Sequence, residues 1–292
     1  MKQQDSAGPP HLEESPGKTV QLSGSEEDEV RRRVGLRAAV VFETVRREGE
    51  TELNRPITAL AFSAIAAGLS MGFSLVATGL LRAYLPNVPW RTLVENLGYT
   101  LGFLIVVMAR QQLFTENTVT AVVPALDNFD GGRTLLKMLR LWGIVLAGNL
   151  FGAILFAYAA AHSNAFEPQV RAAFGQLAIA AISPASSEIF VRGVFSGWLI
   201  ALMVWLLPAA EGQRVTIVII ITYIVGAAAL SHVIAGSVEA LYGVASGTTS
   251  WGMFWSHFFL PVLAGNTLGG VALVSLLNYA QVAPESSDST MG

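Results

Sequence analysis

The stretch Leu113-Phe114-Thr115-Glu116-Asn117 interrupts a long apolar segment with polar residues, and it decides how the chain is organised. A second apolar segment downstream is interrupted at Leu230-Ser231-His232. Because lipid offers no hydrogen bonds, a membrane helix tolerates such a break only where its backbone and polar side chains face buried protein or a water-filled lumen. The two breaks therefore predict a pathway through a membrane domain.

The composition is that of a membrane protein. Of the 292 residues, 52% are hydrophobic and 13% are charged, whereas a soluble domain carries about 25% charged residues. The mean hydropathy is +0.52. The chain has no cysteine, which excludes disulfides, thiolate metal sites and a cysteine nucleophile. The net charge of −3 gives no sign of a nucleic-acid partner, and we expect none.

Six apolar segments are long enough for the roughly 20 residues that a membrane helix requires. They cover residues 57–84, 95–126, 139–161, 189–210, 215–246 and 254–281. The second and fifth segments contain the breaks and are too long for one simple helix, so each should form two half-helices joined by an unwound turn. The sequence predicts an all-α membrane domain over residues 56–282 with six transmembrane helices.

The two chain ends are predicted to lie outside the membrane. Residues 1–50 are polar and rich in Pro, Ser and Glu, and they predict a disordered tail that passes into an amphipathic helix over Glu26 to Glu48. Residues 283–292 form a short C-terminal tail. The positive-inside rule places both termini in the cytoplasm. The basic residues on that side are Arg46, Arg47, Arg55, Arg133, Lys137, Arg140 and Arg214.

Three matched features predict an internal repeat. The pair Gly68 and Gly72 recurs 125 positions later as Gly193 and Gly197. The motif Gly-Asn-x-x-Gly occurs twice at an offset of 117, and the two breaks are also 117 positions apart. The residues of these motifs are Gly148, Asn149, Gly152, Gly265, Asn266 and Gly269. Three spans per half is an odd number, so the halves should be inverted, with a site near the bilayer midplane. Chance recurrence is the alternative, since small residues at this spacing commonly serve helix packing, the role expected of these residues.

The chain resembles the formate/nitrite transporter family over about Pro56 to Tyr279. The resemblance rests on the broken spans with Leu113-Phe114-Thr115 and a lone His232, on the two Gly-Asn-x-x-Gly motifs, on Arg192-Gly193 before Trp198, and on Val204-Trp205. It implies an aquaporin-like fold, a homopentamer with one pore per protomer, and transport of a small monovalent anion or its neutral acid, such as formate or nitrite, often with a proton. It also implies a plasma membrane of the bacterial inner-membrane type, and it implies no enzymatic activity, metal or cofactor.

The resemblance also assigns roles to the breaks. Leu113, Phe114 and Thr115 would form the loop of the second span, with Phe114 in a hydrophobic constriction and Thr115 bonded to the pore residue His232. An apolar constriction strips water from an ion, which is costly for formate but mild for formic acid. An imidazole at the midplane could supply a proton or a compensating charge. Ordinary packing is the alternative for Phe114, and a satisfied core histidine is the alternative for His232.

The chain departs from the family pattern at polar positions. A lysine and two asparagines expected near the pore are here Ala181, Gly197 and Gly236. Charged residues flank the breaks instead, namely Arg110, Glu116 and Glu239. Because an unpaired charge within a membrane costs several kcal/mol, we expect Arg110 to pair with Glu116 or Glu239 in a network that braces the loops. A substrate site is the alternative for these three residues.

Two other functions compete with anion transport. One is a conduction-poor structural or regulatory membrane protein of the same fold. The other is an aquaporin-type pore for neutral solutes, which the absence of Asn-Pro-Ala at either break weakens. Ser231 and His232 do not form a hydrolase dyad, because adjacent residues on a helix point apart and no acidic partner is evident.

Overall fold

The computed structural model describes residues 23–24, 38–127, 132–210 and 212–281, and these contain helices and turns but no strand. The predicted all-α class is confirmed. The helices are α1 Ala38–Leu53, α2 Ile57–Tyr84, α3 Arg91–Met108, α4 Asn117–Thr120, α5 Val122–Asp127, α6 Arg133–His162, α7 Pro168–Ile182, α8 Ser186–Leu206, α9 Arg214–Ala227, α10 Ala235–Ala245 and α11 Leu260–Gly270. Helix α11 is the middle of a last span, Met253–Gln281, and is flanked by two π-helical stretches.

Among the described residues, five helices are long and apolar enough to cross a membrane. They are Ile57–Tyr84, Arg91–Met108, Arg133–His162, Ser186–Ala209 and Met253–Gln281. The fifth predicted segment instead forms α9, of 14 residues, and α10, of 11 residues. The residues between these two helices form the break and are not helical. Large apolar side chains lie on the outside, and Phe62 is 75% exposed. Such an outer surface suits lipid rather than water.

Two short helices precede the two sets of spans. Helix α1 extends past the predicted end at Glu48 to Leu53, whereas most of the predicted helix before Ala38 and the tail 283–292 lie outside the described residues. Helix α7 was not predicted, because its 15 residues are too few for a span. Helix α1 packs against α4 and α5, and α7 packs against α10. Each short helix therefore contacts the half-helix that follows a break.

The residues that precede the first span of each half have the same backbone conformation. Pro56, before α2, has φ −59° and ψ 145°, and Ala185, before α8, has φ −59° and ψ 149°. These two residues are 129 positions apart. The repeat therefore includes the short helix, the turn and the first span of each half.

The glycine contacts correct the predicted register of this repeat. A Cβ on Gly68 would lie 2.1 Å from the carbonyl oxygen of Asn149, and one on Gly197 would lie 2.3 Å from that of Asn266. Gly68 therefore corresponds to Gly197, and pairing it with Gly193 was wrong by one helical turn. A small residue at every fourth position produces the same pattern when it is shifted by one turn, so the spacing alone could not fix the register.

The other motif glycines also lie where helices approach closely. Those of the second motif copy meet backbone, since a Cβ on Gly265 would lie 2.3 Å from the Phe190 oxygen and one on Gly269 2.1 Å from the Val194 oxygen. A Cβ on Gly152 would lie 2.3 Å from the Ile65 oxygen. The remaining three would meet neighbouring atoms at 2.2 Å for Gly72, 2.6 Å for Gly148 and 3.2 Å for Gly193.

Candidate pore site

The helices before the two breaks end in the same way. Arg110 has φ +52° and Ala229 has φ +51°, and they are the only non-glycine residues with positive φ in the described part of the chain. In both, the next amide reaches back five residues: Gln111 N donates to Val106 O at 3.0 Å, and Leu230 N donates to Val225 O at 2.9 Å. A left-handed residue with such a bond is a common way to stop a helix.

A buried asparagine ties the first break to the surrounding spans. Asn149 Oδ1 accepts from Phe114 N at 2.9 Å, and its Nδ2 donates to Ala64 O at 2.8 Å and Gln112 O at 2.9 Å. Asn149 has no exposed surface. One amide side chain therefore satisfies two backbone groups of the unwound turn, Phe114 N and Gln112 O, and anchors them to a carbonyl of α2.

The second break repeats this arrangement with Asn266. Its Oδ1 accepts from Val233 N, and its Nδ2 donates to Gly193 O and Ser231 O, each at 2.9 Å. Phe114 thus corresponds to Val233, an offset of 119, and the predicted offset of 117 was wrong. His232 corresponds to Leu113 and not to Thr115. The shared leucine at the start of each break misled the sequence comparison, because the asparagine contacts set the register.

Thr115 and His232 meet in the interior. Thr115 Oγ1 lies 2.9 Å from His232 Nε2, and His232 is 1% exposed. His232 Nδ1 accepts from the amides of Ile234 and Ala235, each at 3.2 Å. Because Nδ1 is an acceptor, the hydrogen-bond network assigns the proton of the neutral ring to Nε2, which donates to Thr115.

Aromatic rings pack against His232 and against the residue that precedes Thr115. The ring of Phe103 lies edge-on to His232, with centroids 4.9 Å apart. Phe114 is 3% exposed and packs edge-on against Trp142 at 5.6 Å. The Trp142 indole also donates to Asn117 O at 3.0 Å, which holds the start of α4. The residues 113–115 are thus fixed by packing as well as by Asn149.

One cavity, here called the His232 cavity, has a volume of about 150 Å³ and is lined by His232, Glu239 and Ala181. Its arginines are paired: Arg82 donates to Glu95 at 2.6 Å and 3.1 Å, and Arg192 lies 2.5 Å from Glu188. Glu239 makes no hydrogen bond or ion pair with any other described residue. Its carboxyl group is therefore the unpaired charge-bearing group of this cavity.

A second cavity, here called the Arg110 cavity, has a volume of about 420 Å³. Its charged lining residues are Glu48, Glu52, Arg55, Arg110, Glu116 and Arg214. The residues on either side of 113–115, Gln112 and Glu116, line this cavity, whereas Thr115 contacts His232, which lines the other. The stretch that interrupts the second span therefore separates the two cavities.

The predicted ion pair does not form. Arg110 lines one cavity and Glu239 the other, and in the described part of the chain no carboxylate oxygen lies within 4.0 Å of Arg110. Glu116 has a buried oxygen, Oε1, without a hydrogen-bond partner. Proximity to a break in sequence was a poor guide, because Glu239 faces the other cavity and because Glu116, although it lines the same cavity, lies outside ion-pair distance of Arg110.

Close packing accounts for two of the departures from the family pattern. A Cβ on Gly236 would lie 2.6 Å from the Phe258 ring, and one on Gly197 would lie 2.3 Å from the Asn266 oxygen. Neither position has room for an asparagine unless its neighbours move. The third position, Ala181, lines the His232 cavity and adds no charge to it.

Sequence reasoning missed a polar link from α1 to the first break. Glu52 accepts from Gln112 Nε2 at 3.0 Å and from Thr120 Oγ1 at 2.6 Å. Asn117 Nδ2 donates to Gln112 Oε1 at 3.1 Å. Burial raises the pKa of Glu52 despite these two hydrogen bonds, which act in the opposite direction. The polar residues at 112 and 117, on either side of the break, were the available signal.

The remaining missed function is that of Asn149 and Asn266, which were assigned to helix packing alone. A buried asparagine needs several hydrogen-bond partners, and the unwound turns were the groups that needed donors and acceptors. Among the described residues, no group of three or more His, Asp or Glu side chains could hold a metal ion.

These features define a class: a multi-pass helical membrane protein whose two interrupted helices meet at a buried Thr–His contact between two cavities. The comparison with protein families agrees, because the model of the formate/nitrite transporter family matches residues 39–280. The chain belongs to that family, as its motifs indicated. It is a family of transporters and not of enzymes.

Relatives extend over most of the chain. The inner membrane protein YfdC of Escherichia coli is 44% identical over 256 residues, which cover 88% of this chain and 82% of that protein. The formate channel FocA of Haemophilus influenzae is 26% identical over 247 residues, covering 73% and 83%.

Solved structures share the fold. A pentameric formate channel with formate bound superposes with a TM-score of 0.66 at 20% identity, covering 78% of this chain and 98% of that one. An ion channel of the same family superposes with a TM-score of 0.68 at 20% identity, covering 84% and 98%. The predicted fold class is therefore confirmed.

Proposed function

We propose that this protein carries a small monovalent anion, or its neutral acid, between the Arg110 cavity and the His232 cavity, past Thr115 and His232. The observation that carries the proposal is the contact of Thr115 Oγ1 with His232 Nε2 at 2.9 Å, between two cavities with charged linings. Relatives named as formate channels support the same class of solute. A conduction-poor structural role is less favoured, because a structural role explains neither the two cavities nor the buried histidine.

The chemistry at the constriction favours a neutral solute. Leu113, Phe114 and Phe103 are buried apolar side chains beside the contact, so an ion would lose its water without gaining a counter-charge. The His232 ring can donate only through Nε2, because two backbone amides occupy Nδ1. Thr115 and His232 thus offer hydrogen bonds to a passing acid, while protonation of the ring at Nδ1 would oppose two N–H donors.

The assembly and orientation belong to the same proposal. Five protomers, each with its own pore, follow the pentameric formate channel. Both termini would lie in the cytoplasm of a bacterial-type inner membrane, with the Arg110 cavity on that side, because α1 packs beside it. The two halves, each with three crossings, would be inverted.

Flux measurements in proteoliposomes test the transport proposal. Formate and nitrite uptake should increase as the pH falls, because the neutral acid becomes more abundant. His232→Ala should lower the uptake rate at least about tenfold, a barrier increase of about 1.4 kcal/mol. Thr115→Val should lower it less, since the ring remains. His162→Ala, at an exposed histidine near the end of α6, is the matched control.

Two results would contradict the proposal. One is that neither anion crosses at any pH although the protein is folded. The other is that His232→Ala conducts as the unmodified protein does.

A further inference from the structure

The Arg110 cavity contains three guanidinium groups without ion-pair partners. Arg55, Arg110 and Arg214 line it, and none of them lies within 4.0 Å of a carboxylate oxygen among the described residues. In the His232 cavity, by contrast, Arg82 and Arg192 are both paired. Arg55 and Arg214 are half-buried and Arg110 is exposed at the cavity mouth. Because a partly desolvated cation without a counter-charge is costly, the grouping of three such guanidinium groups needs a reason.

Helix capping does not provide that reason for Arg110. Its left-handed backbone, at φ +52°, is matched by Ala229 at φ +51° in the other break. The second break reaches the same conformation with a side chain that has no charge. The guanidinium of Arg110 is therefore not required by the way the helix ends.

The carboxylates of the cavity do not neutralise these arginines at contact distance. Both oxygens of Glu52 accept hydrogen bonds from Gln112 and Thr120. Burial raises the pKa of Glu52, and Arg55, which acts on this carboxyl only through space, lowers it by a smaller amount. Glu48 is exposed. Glu116 and Arg214 attract each other electrostatically. Glu116 Oε1 and Arg214 Nε are nevertheless both buried without a hydrogen-bond partner.

We propose that Arg55, Arg110 and Arg214 form a binding site for a small planar oxyanion, such as a carboxylate, at this mouth of the pore. Guanidinium groups suit that class because their parallel N–H donors match the two oxygens of a carboxylate or nitrite. The cavity of about 420 Å³ has room for such an anion with some of its water. The site would load the pore with solute, and in this respect the inference rests on the transport function proposed above.

Anion binding is measured directly, apart from flux. Purified protein in nanodiscs is titrated with sodium formate, with sodium chloride keeping the ionic strength constant, while thermal unfolding is followed by tryptophan fluorescence. A ligand that binds the native state raises the unfolding temperature. Arg110→Gln and Arg214→Gln should each weaken the apparent affinity for formate about tenfold. Arg110→Lys should weaken it less, because lysine retains the positive charge but lacks the paired N–H donors of a guanidinium group.

Two further variants separate binding from folding. Arg110→Gly should leave the unfolding temperature without formate equal or higher, because glycine suits φ +52°, and it should weaken the apparent affinity for formate about tenfold, as Arg110→Gln does. Arg133→Gln, at an exposed arginine at the start of α6 that does not line the cavity, should bind formate as the unmodified protein does. A formate response that is unchanged in Arg110→Gly and Arg214→Gln would overturn the site.

The outcomes distinguish this inference from the transport proposal. If flux is normal and all arginine variants bind formate and transport it with unchanged KM, the site is absent while transport stands. If no anion crosses the membrane but formate stabilises the protein only when Arg110 and Arg214 are present, transport fails while the site stands. If both hold, Arg110→Gln should raise the KM for formate about tenfold with a smaller change in the maximal rate.

Discussion

The two breaks share one backbone design but open onto cavities of different chemistry. Asn149 and Asn266 make the same three hydrogen bonds, and Arg110 and Ala229 adopt the same left-handed conformation. The side chains at matched positions nevertheless differ, with Leu113 in the first break and His232 in the second. A helix that stops inside a membrane requires partners for its exposed backbone groups, and here the left-handed residue and the asparagine provide them. The other side chains of the break can therefore differ between the two halves.

The divergence extends to the short helices that precede each half. By the offset that relates Pro56 to Ala185, Glu52 on α1 corresponds to Ala181 on α7. Glu52 bonds to the first break, whereas Ala181 only lines the His232 cavity. The chain therefore links a carboxylate to the break at one mouth, whereas at the other mouth the arginines are paired and one carboxyl, Glu239, is not.

The largest expected effect is the loss of an asparagine at either break. Asn149→Ala and Asn266→Ala should each lower the free energy of unfolding by about 2–3 kcal/mol, because two buried backbone groups of the unwound turn lose their partner and a helix carbonyl loses its second hydrogen bond. Similar losses for the two variants would support the equivalence of the breaks. Apparent unfolding free energies in detergent provide the measurement.

The control for this pair is Asn54→Ala. Asn54 is exposed and bonds to Glu50 O and Lys137, so its removal should change the free energy of unfolding by no more than about 0.5 kcal/mol. If only one of the two buried asparagines matters, the equivalence of the two breaks is lost.

The next effect tests the corrected register of the repeat. Gly68→Ala and Gly197→Ala should each destabilise the protein by about 1–3 kcal/mol, because the new methyl group meets a backbone oxygen of the facing helix. Gly143→Ala, with nothing within 4 Å of its Cβ, should stabilise α6 by up to about 1 kcal/mol. Thermal unfolding of the three variants measures both the expected destabilisation and the expected stabilisation. If Gly197→Ala does not lower the stability, the close helix contact is refuted.

These residues also show how far the sequence alone could go. The apolar segments predicted the membrane fold, and the two breaks predicted where the helices unwind, because both depend on local composition. The register of the repeat and the partners of Arg110 depend on contacts across dozens of residues, and a pattern of small residues fits more than one alignment. Helix α7 was not predicted, because a short apolar helix lacks the length that identifies a membrane span.

A smaller effect concerns the link that only the first half has. Glu52→Ala should weaken the docking of α1 by about 1–2 kcal/mol, because Gln112 and Thr120 lose their acceptor. The raised pKa of Glu52 means that the folded state keeps this proton to higher pH than the unfolded chain does. The stability associated with this proton is therefore greatest below the ordinary glutamate pKa and is lost as the pH rises through the raised value.

Hydrogen exchange of the α1 amides over a range of pH measures this link. Glu52→Gln should reduce the pH dependence of α1 protection, because glutamine stays neutral. Glu50→Gln is the matched control on the same helix, since Glu50 pairs with Arg46 and not with the break. Equal pH dependence in Glu52→Gln and the unmodified protein would show that this carboxyl does not couple α1 to the break.

The smallest effect concerns the other mouth. Glu239 lines the His232 cavity without a partner among the described residues, so its ionised carboxylate should repel an anion that enters there. Glu239→Gln should lower the KM for anion entry from that side about threefold in alkaline buffer, a difference of about 0.6 kcal/mol. In acidic buffer the carboxyl is already neutral, so the variant and the unmodified protein should converge. Glu167→Gln, at a residue that precedes α7 and does not line the cavity, is the control. An equal change in KM at every pH would mean that Glu239 acts through packing, and the contrast between an anion-attracting and an anion-repelling mouth would then rest on the arginines alone.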